Sequence, residues 1–194
     1  MAGDGPVRYV NAYTKRQANA CRFCFIFISW GVFVGKDILF KTDESVFSYR
    51  VGGILVRDGK ILLQRDNAGD HAVIGGHVSF LETTAETLKR EYQEEIHAEI
   101  HVDDLLAVQE NFFMRGNKPC HQVFFYYAVH LKQDTIPLEG VFSGYDELGG
   151  ERVDLDFVWV PLAELPNLSV YPREIGHLLE KHDGVMHFVS NELE

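Results

Sequence analysis

The sequence predicts an α+β domain. Three observations carry the prediction. Strand-like segments run from Val46 to Val78, one strongly amphipathic helix covers residues 83–97, and further strand-like segments follow from Leu105. The chain has 194 residues, of which 46% are hydrophobic and 24% charged, values that fit a folded domain plus an appendage.

Each element follows from local signals. Residues 46–57 (VFSYRVGGILVR) read as a strand, Asp58-Gly59 as a tight turn, and residues 60–65 (KILLQR) as the return strand. Residues 67–70 form a polar loop, and residues 72–78 (AVIGGHV) a short strand interrupted by two glycines. Thr83 and Glu86 fit a capping box at the start of the helix. Ala85, Leu88, Tyr92 and Ile96 recur on its apolar face. Residues 105–114 and 120–131 read as strands around the turn RGNKP, and residues 138–154 as a long glycine-containing loop. A strand at 155–160 closes at Pro161, Pro172 opens a second helix over 173–182, and residues 185–190 end the pattern as a strand.

The charge is uneven. The net charge is −11, yet residues 1–41 carry six basic and two acidic residues, so the rest carries −15. This divides the chain into an N-terminal extension, 1–41, and a domain, 42–194. The acidic balance disfavours a nucleic-acid partner, whose grip needs a basic face. Three cysteines, Cys21, Cys24 and Cys120, give no disulfide framework and fit a reducing, cytoplasmic setting. Cys21 and Cys24 lack the second ligand pair that zinc requires. The apolar run Cys21–Val34 has fourteen residues, against roughly 20 for a bilayer span, and no small-x-small cleavage site follows it. It reads as a strand or extension rather than an anchor, so no membrane partner is expected.

The chemistry concentrates in residues 75–100, GGHVSFLETTAETLKREYQEEIHAEI. Glu91, Glu94 and Glu95 lie three and four residues apart and share a helix face. Their mutual repulsion would be relieved by a hard divalent cation, because Mg²⁺ prefers carboxylate and water oxygens. Arg90 is spaced to pair with Glu94. An ordinary solvated acidic face is the competing explanation, and it is the usual one for Glu-Glu beside a basic residue. Gly75 and Gly76 allow the backbone to approach a ligand or metal closely.

Gly76, Glu82, Arg90, Glu91, Glu94 and Glu95 together resemble the signature of the Nudix hydrolases, G-x5-E-x7-R-E-U-x-E-E-x-G-U, with U a bulky aliphatic residue. A chance match at six positions is on the order of 10⁻⁷ to 10⁻⁸ per starting point at average composition. His97 replaces the second glycine of the signature, while Tyr92 and Ala98 hold its aliphatic positions. The replaced glycine would supply a left-handed helix cap. The wider strand pattern extends the resemblance to residues 46–190.

The resemblance implies an α/β/α sandwich with a mixed sheet between helices. It implies a MutT-like pyrophosphohydrolase that uses Mg²⁺, with Mn²⁺ as the alternative, to cleave a diphosphate linkage in a nucleoside diphosphate joined to another group, NDP-X. It assigns the metal to Glu91, Glu94, Glu95 and a loop carbonyl at Gly75. Arg90 would hold a ligating glutamate in place, and Glu82 would be a structural partner of Arg90. The general base stays open among Glu91, Glu94, Glu147 and Glu151. Substrate contacts are expected at Gly76, His77, Glu110 and Arg115, with Phe112 and Phe113 on opposite strand faces. Candidates for the substrate include oxidised nucleoside triphosphates, ADP-ribose, dinucleotides and nucleotide sugars. Many members of the family are homodimers, though no stripe in this sequence marks an interface. A catalytically silent nucleotide-binding or sugar-phosphate-binding module is the alternative, and the intact glutamates count against it. An isoprenoid diphosphate isomerase would need a cysteine acid, for which Cys120 is the sole candidate outside the N-terminal run.

Overall fold

The computed structural model describes residues 37–66, 68–148, 151–181 and 183–193, without the side chains of 146–148 and 151–153. The Cys21–Val34 run therefore lies outside the described residues, as do the side chains of Glu147 and Glu151. Among the described residues, no helix is long and apolar enough to cross a membrane.

The strands are β1 (Leu39–Lys41), β2 (Val46–Arg57), β3 (Lys60–Arg65), β4 (His71–Ala72) and β5 (Ile74–His77). Helix α1 (Thr84–Ile96) follows, then β6 (Ile100–Arg115), β7 (Lys118–Leu131), β8 (Val141–Leu148) and β9 (Glu151–Pro161). A 3₁₀ helix (Leu162–Asn167), β10 (Val170–Tyr171), α2 (Ile175–Leu178) and β11 (Met186–Asn191) complete the fold.

The sheet is mixed, and β2 is its hub. It pairs parallel with β7 and antiparallel with β1, β3 and β5. Beyond β7 lie β6, antiparallel, and β11, parallel to β6. Beyond β3 lie the antiparallel strands β9 and β8. Alternation along β2 serves two cores. Val51 and Leu55 pack with Leu88, Tyr92 and Ile96 of α1. Ile54 packs on the opposite face with Tyr126 of β7 and with Ile175 and Leu178 of α2. The outcome is helix, sheet, helix. Leu88 and Tyr92 are fully buried, and apolar side chains of this size gain about 1.5–3 kcal/mol each on burial.

The capping box forms as expected: Thr83 Oγ1 accepts from the Glu86 amide, and the Glu86 carboxylate accepts from the Thr83 amide. His97 adopts the left-handed cap itself, at φ 55°. The adjacent Ala98 amide reaches back to the Tyr92 carbonyl at 3.1 Å, so the helix ends without the signature glycine.

Two expectations fail. Residues 138–154 do not form a long loop, because β8 and β9 pair from Val141↔Val158 to Leu148↔Glu151. Tertiary pairing overrides the glycine content: Phe142 stacks on Phe157, and Gly144 sits where a Cβ would lie 2.1 Å from the Glu95 carbonyl oxygen. The second helix does not span 173–182, because only Ile175–Leu178 is α-helical. Most backbone bonds there skip three residues, as in Ile175 to Pro172 and Glu180 to His177, and Gly176 within the segment is a poor helix former.

Candidate active site

The glycine pair and α1 meet across a close contact. In β5, Gly76 pairs with Val51 and Gly75 with Gly52 of β2. A Cβ on Gly76 would lie 2.1 Å from Glu91 Oε1, and one on Gly75 would lie 2.1 Å from the Val51 carbonyl oxygen. The backbone of β2 leaves no room for a side chain at Gly75, and one at Gly76 would force the Glu91 carboxylate to move. This is what brings the β5 backbone against the acidic face of the helix.

Arg90 organises that face. Its Nη1 donates to Glu91 Oε1 at 2.9 Å and to Glu94 Oε2 at 2.8 Å. Its Nε donates to both Glu82 oxygens at 3.3 Å, and its Nη2 to the His77 carbonyl at 3.4 Å. The buried Thr87 hydroxyl fixes Glu82 from the other side at 2.8 Å. Burial pulls the Arg90 pKa down, but Glu91, Glu94 and Glu82 outweigh it and hold the pKa above its ordinary value. The guanidinium stays charged. Glu91 and Glu95 are buried, at 7% and 2% exposure, whereas the Glu94 side chain is 58% exposed.

Within this group there are four carboxylates, three of them bonded to Arg90, and one guanidinium, a net of −3 if all are ionised. The hard oxygen donors and the charge deficit fit a divalent cation. Among the described residues, no set of three or more His, Cys, Asp or Glu side chains already converges as a cage. Arg90 draws Glu91 and Glu94 toward itself instead. The Gly75 carbonyl accepts from Arg50 Nη2 at 3.2 Å and keeps a second lone pair.

The other expected residues separate into two sets. His77 lies opposite Arg50 in the β2–β5 ladder. Burial first, then Arg50, Arg115 and Lys41, push its pKa down to about 4, so the ring is neutral at pH 7 and Arg115 acts on it electrostatically. Glu110 pairs with His187 at 3.0 Å and lies 3.9 Å from His121, on which Phe112 stacks. Its neighbours in β6, Gln109, Asn111 and Phe113, instead line a cavity of about 500 Å³ on the opposite sheet face. Cys120 is buried at 1% exposure, and desolvation raises its pKa, with Arg115 opposing. Motif reasoning missed Arg50, which joins that cavity to Gly75. A lone charge in the apolar run of β2 was the available signal.

A sheet held between two helical layers, with an arginine gripping three signature glutamates, defines a class of hydrolase acting on phosphorus-containing anhydrides. A profile of the NUDIX domain matches residues 47–180, and the chain belongs to the Nudix family of pyrophosphohydrolases. A NUDIX hydrolase from Nitrosomonas europaea has a similar fold: TM-score 0.52, 16% identity, covering 78% of this chain and 82% of that one. A MutT NUDIX hydrolase from Burkholderia pseudomallei gives TM-score 0.48 and 24% identity, over 69% and 98% of the two chains. An ADP-ribose pyrophosphatase from Streptococcus suis gives TM-score 0.45 and 16% identity, over 73% and 98%. No curated protein matches the sequence.

Proposed function

We propose that this protein hydrolyses a diphosphate linkage in a small-molecule nucleoside diphosphate derivative, NDP-X, by attack of water at phosphorus. Glu91, Glu94 and Glu95 would hold Mg²⁺, or Mn²⁺ in its place, together with the Gly75 carbonyl. The bound cation supplies neutralisation of phosphate charge and a lowered pKa for its water. The observation that carries this reading is the Arg90 network, which fixes Glu91 against Gly76 while leaving the face short of positive charge.

The chain's own groups do the rest. Glu82, anchored by Thr87, holds the Arg90 guanidinium in place. Arg90 in turn sets the Glu91 rotamer, so the carboxylate is positioned before substrate arrives. Neutral His77 and cationic Arg115 contact the diphosphate or its leaving group. A carboxylate among Glu91, Glu94, Glu147 and Glu151 takes the proton from the attacking water. The domain acts in the cytoplasm, as a monomer or homodimer. Residues 1–41 form an extension whose last three residues, β1, pair with β2.

The test is a panel of nucleoside diphosphate derivatives with Mg²⁺ or Mn²⁺ in ¹⁸O-water, with products identified by mass. Cation-dependent cleavage with label on one phosphorus supports the proposal. Nucleotide binding without turnover of any member would favour a silent binding module.

A further inference from the structure

Positive charge gathers at one end of the sheet, in a chain whose net charge is −11. Lys41 ends β1 opposite Val46 of β2, and Val46 pairs on its other side with Cys120 of β7. After burial, Arg115 is the charge that acts on the Cys120 thiol. Arg115 itself ends β6 opposite Lys118, whose ammonium donates to the Thr42 carbonyl at 2.7 Å and so ties the β6–β7 turn to the end of β1. The field at the His77 ring, burial aside, comes from Arg50, Arg115 and Lys41 in that order, all cationic. Asp37 Oδ2 lies 3.9 Å from His77 Nδ1, so three cations stand against one carboxylate.

Arg57, Arg65, Arg90 and Arg173 each lie against a carboxylate. Lys41 and Arg115 are exposed, and among the described residues neither side chain has an ion pair or a hydrogen bond. Cations brought together without counter-charges repel, and an anion placed among them relieves the repulsion. The group adjoins the signature: the His77 carbonyl accepts from Arg90 Nη2 at 3.4 Å, and Arg50 donates to the Gly75 carbonyl at 3.2 Å. The signature face has the opposite sign, so a diphosphate reaches it only through a bridging cation. A charge that the substrate carries beyond that diphosphate needs cations of the protein itself.

We infer that Lys41 and Arg115 hold a negative charge on X, so that the substrate is an NDP-X whose X is anionic, a phosphate or an acidic sugar, rather than a neutral sugar. The inference rests on the reading that the protein acts on NDP-X. Arg115 meets a phosphate or carboxylate with its planar fork, and Lys41 adds a point charge. The contact is exposed and therefore sensitive to salt.

The experiment measures dissociation constants by calorimetry in metal-free buffer for four matched pairs: ATP with ADP-glucose, GTP with GDP-mannose, UTP with UDP-glucose, and UDP-glucuronate with UDP-glucose. The last pair differs by one carboxylate. The expected result is binding at least about tenfold tighter for the anionic member of one pair, the combined effect of two exposed ion pairs. That preference shrinks as salt is raised. It falls to about threefold or less in Lys41→Met and in Arg115→Met, and persists in Lys60→Met, which removes a lysine from the other end of β2. Melting temperatures verify that the variants are folded. Equal or weaker binding of the anionic member in every pair, no binding of any member, a preference indifferent to salt, or a preference untouched in either folded variant overturns the inference. Turnover with Mg²⁺ is followed for the same compounds. A binding preference without turnover of any of them sinks the hydrolase reading and leaves the anion position standing. Turnover without that preference does the reverse.

Discussion

Gly76→Ala isolates the contact on which the site is built. A Cβ at this position would lie 2.1 Å from Glu91 Oε1, 2.2 Å from Cδ and 2.5 Å from Oε2, and Cβ contacts under 3.0 Å are essentially absent from real structures. The carboxylate must therefore retreat by about 1 Å. Gly76 does not have a positive φ, so alanine adds no backbone strain and the effect is purely steric. Retreat stretches the 2.9 Å bond from Arg90 to Glu91, a hydrogen bond between charged groups worth roughly 1.5–3 kcal/mol. For a chain of this size that corresponds to a melting temperature lower by about 3–12 °C. Misplacement of a positioned catalytic group by about 1 Å costs on the order of 10²-fold in rate. The assay pairs kcat/KM on the best panel substrate with thermal melting, and Gly176→Ala is the control, since a Cβ there meets nothing within 4 Å. Activity within twofold of wild type and an unchanged melting temperature would refute the claim that Gly76 seats Glu91.

Arg90→Lys keeps the charge but loses the planar fork that reaches Glu82, Glu91 and Glu94 together, so kcat should fall at least tenfold with little change in KM. Thr83→Ala removes the helix cap and should lower the melting temperature by roughly 2–4 °C without changing KM. The backbone and hydroxyl hydrogen bonds from Thr83 hold the Glu86 carboxyl below its ordinary 4.5. The hydroxyl's share of that shift contributes above that pH and is lost as pH falls through the lowered value, so the stability gap between wild type and Thr83→Ala should narrow under acid without closing, because the bond from the Glu86 amide to the Thr83 hydroxyl remains in wild type. Gly144→Ala drives a Cβ into the Glu95 carbonyl at 2.1 Å, which should detach β8 from the end of α1 and lower both melting temperature and turnover.

Helix α1 was legible because local rules agree along it. Thr83 and Glu86 mark its start, and the Leu88–Tyr92–Ile96 stripe marks its buried face. Spacing placed Glu94 within reach of Arg90, whereas the bond from Arg90 to the adjacent Glu91 does not follow from helix spacing. The β8–β9 hairpin was not legible, because Gly144 speaks for a loop in sequence and earns its place only through contact with Glu95. Residues 173–182 read as a full helix from Pro172 onward, but the tighter turns around Gly176 are a tertiary outcome. Along β6 the strand's alternation decides the face, and this is not legible from a motif: Gln109 and Asn111 line the cavity, while Glu110 between them does not. Glu174 carries no motif at all. It reaches the cavity only because the chain returns past β4 through β10, a contact far apart in sequence.

The most direct test of the central claim is the Mg²⁺-dependent turnover of Glu95→Gln on the best NDP-X substrate, with melting temperature and circular dichroism measured on the same sample. Glu95 is buried at 2% exposure at the end of α1, and glutamine keeps its shape while removing the charge. The account expects turnover lost by at least about 10²-fold, in the range typical of removing one electrostatic group from an active site, with the fold unchanged. Near-wild-type turnover in the folded variant would contradict it.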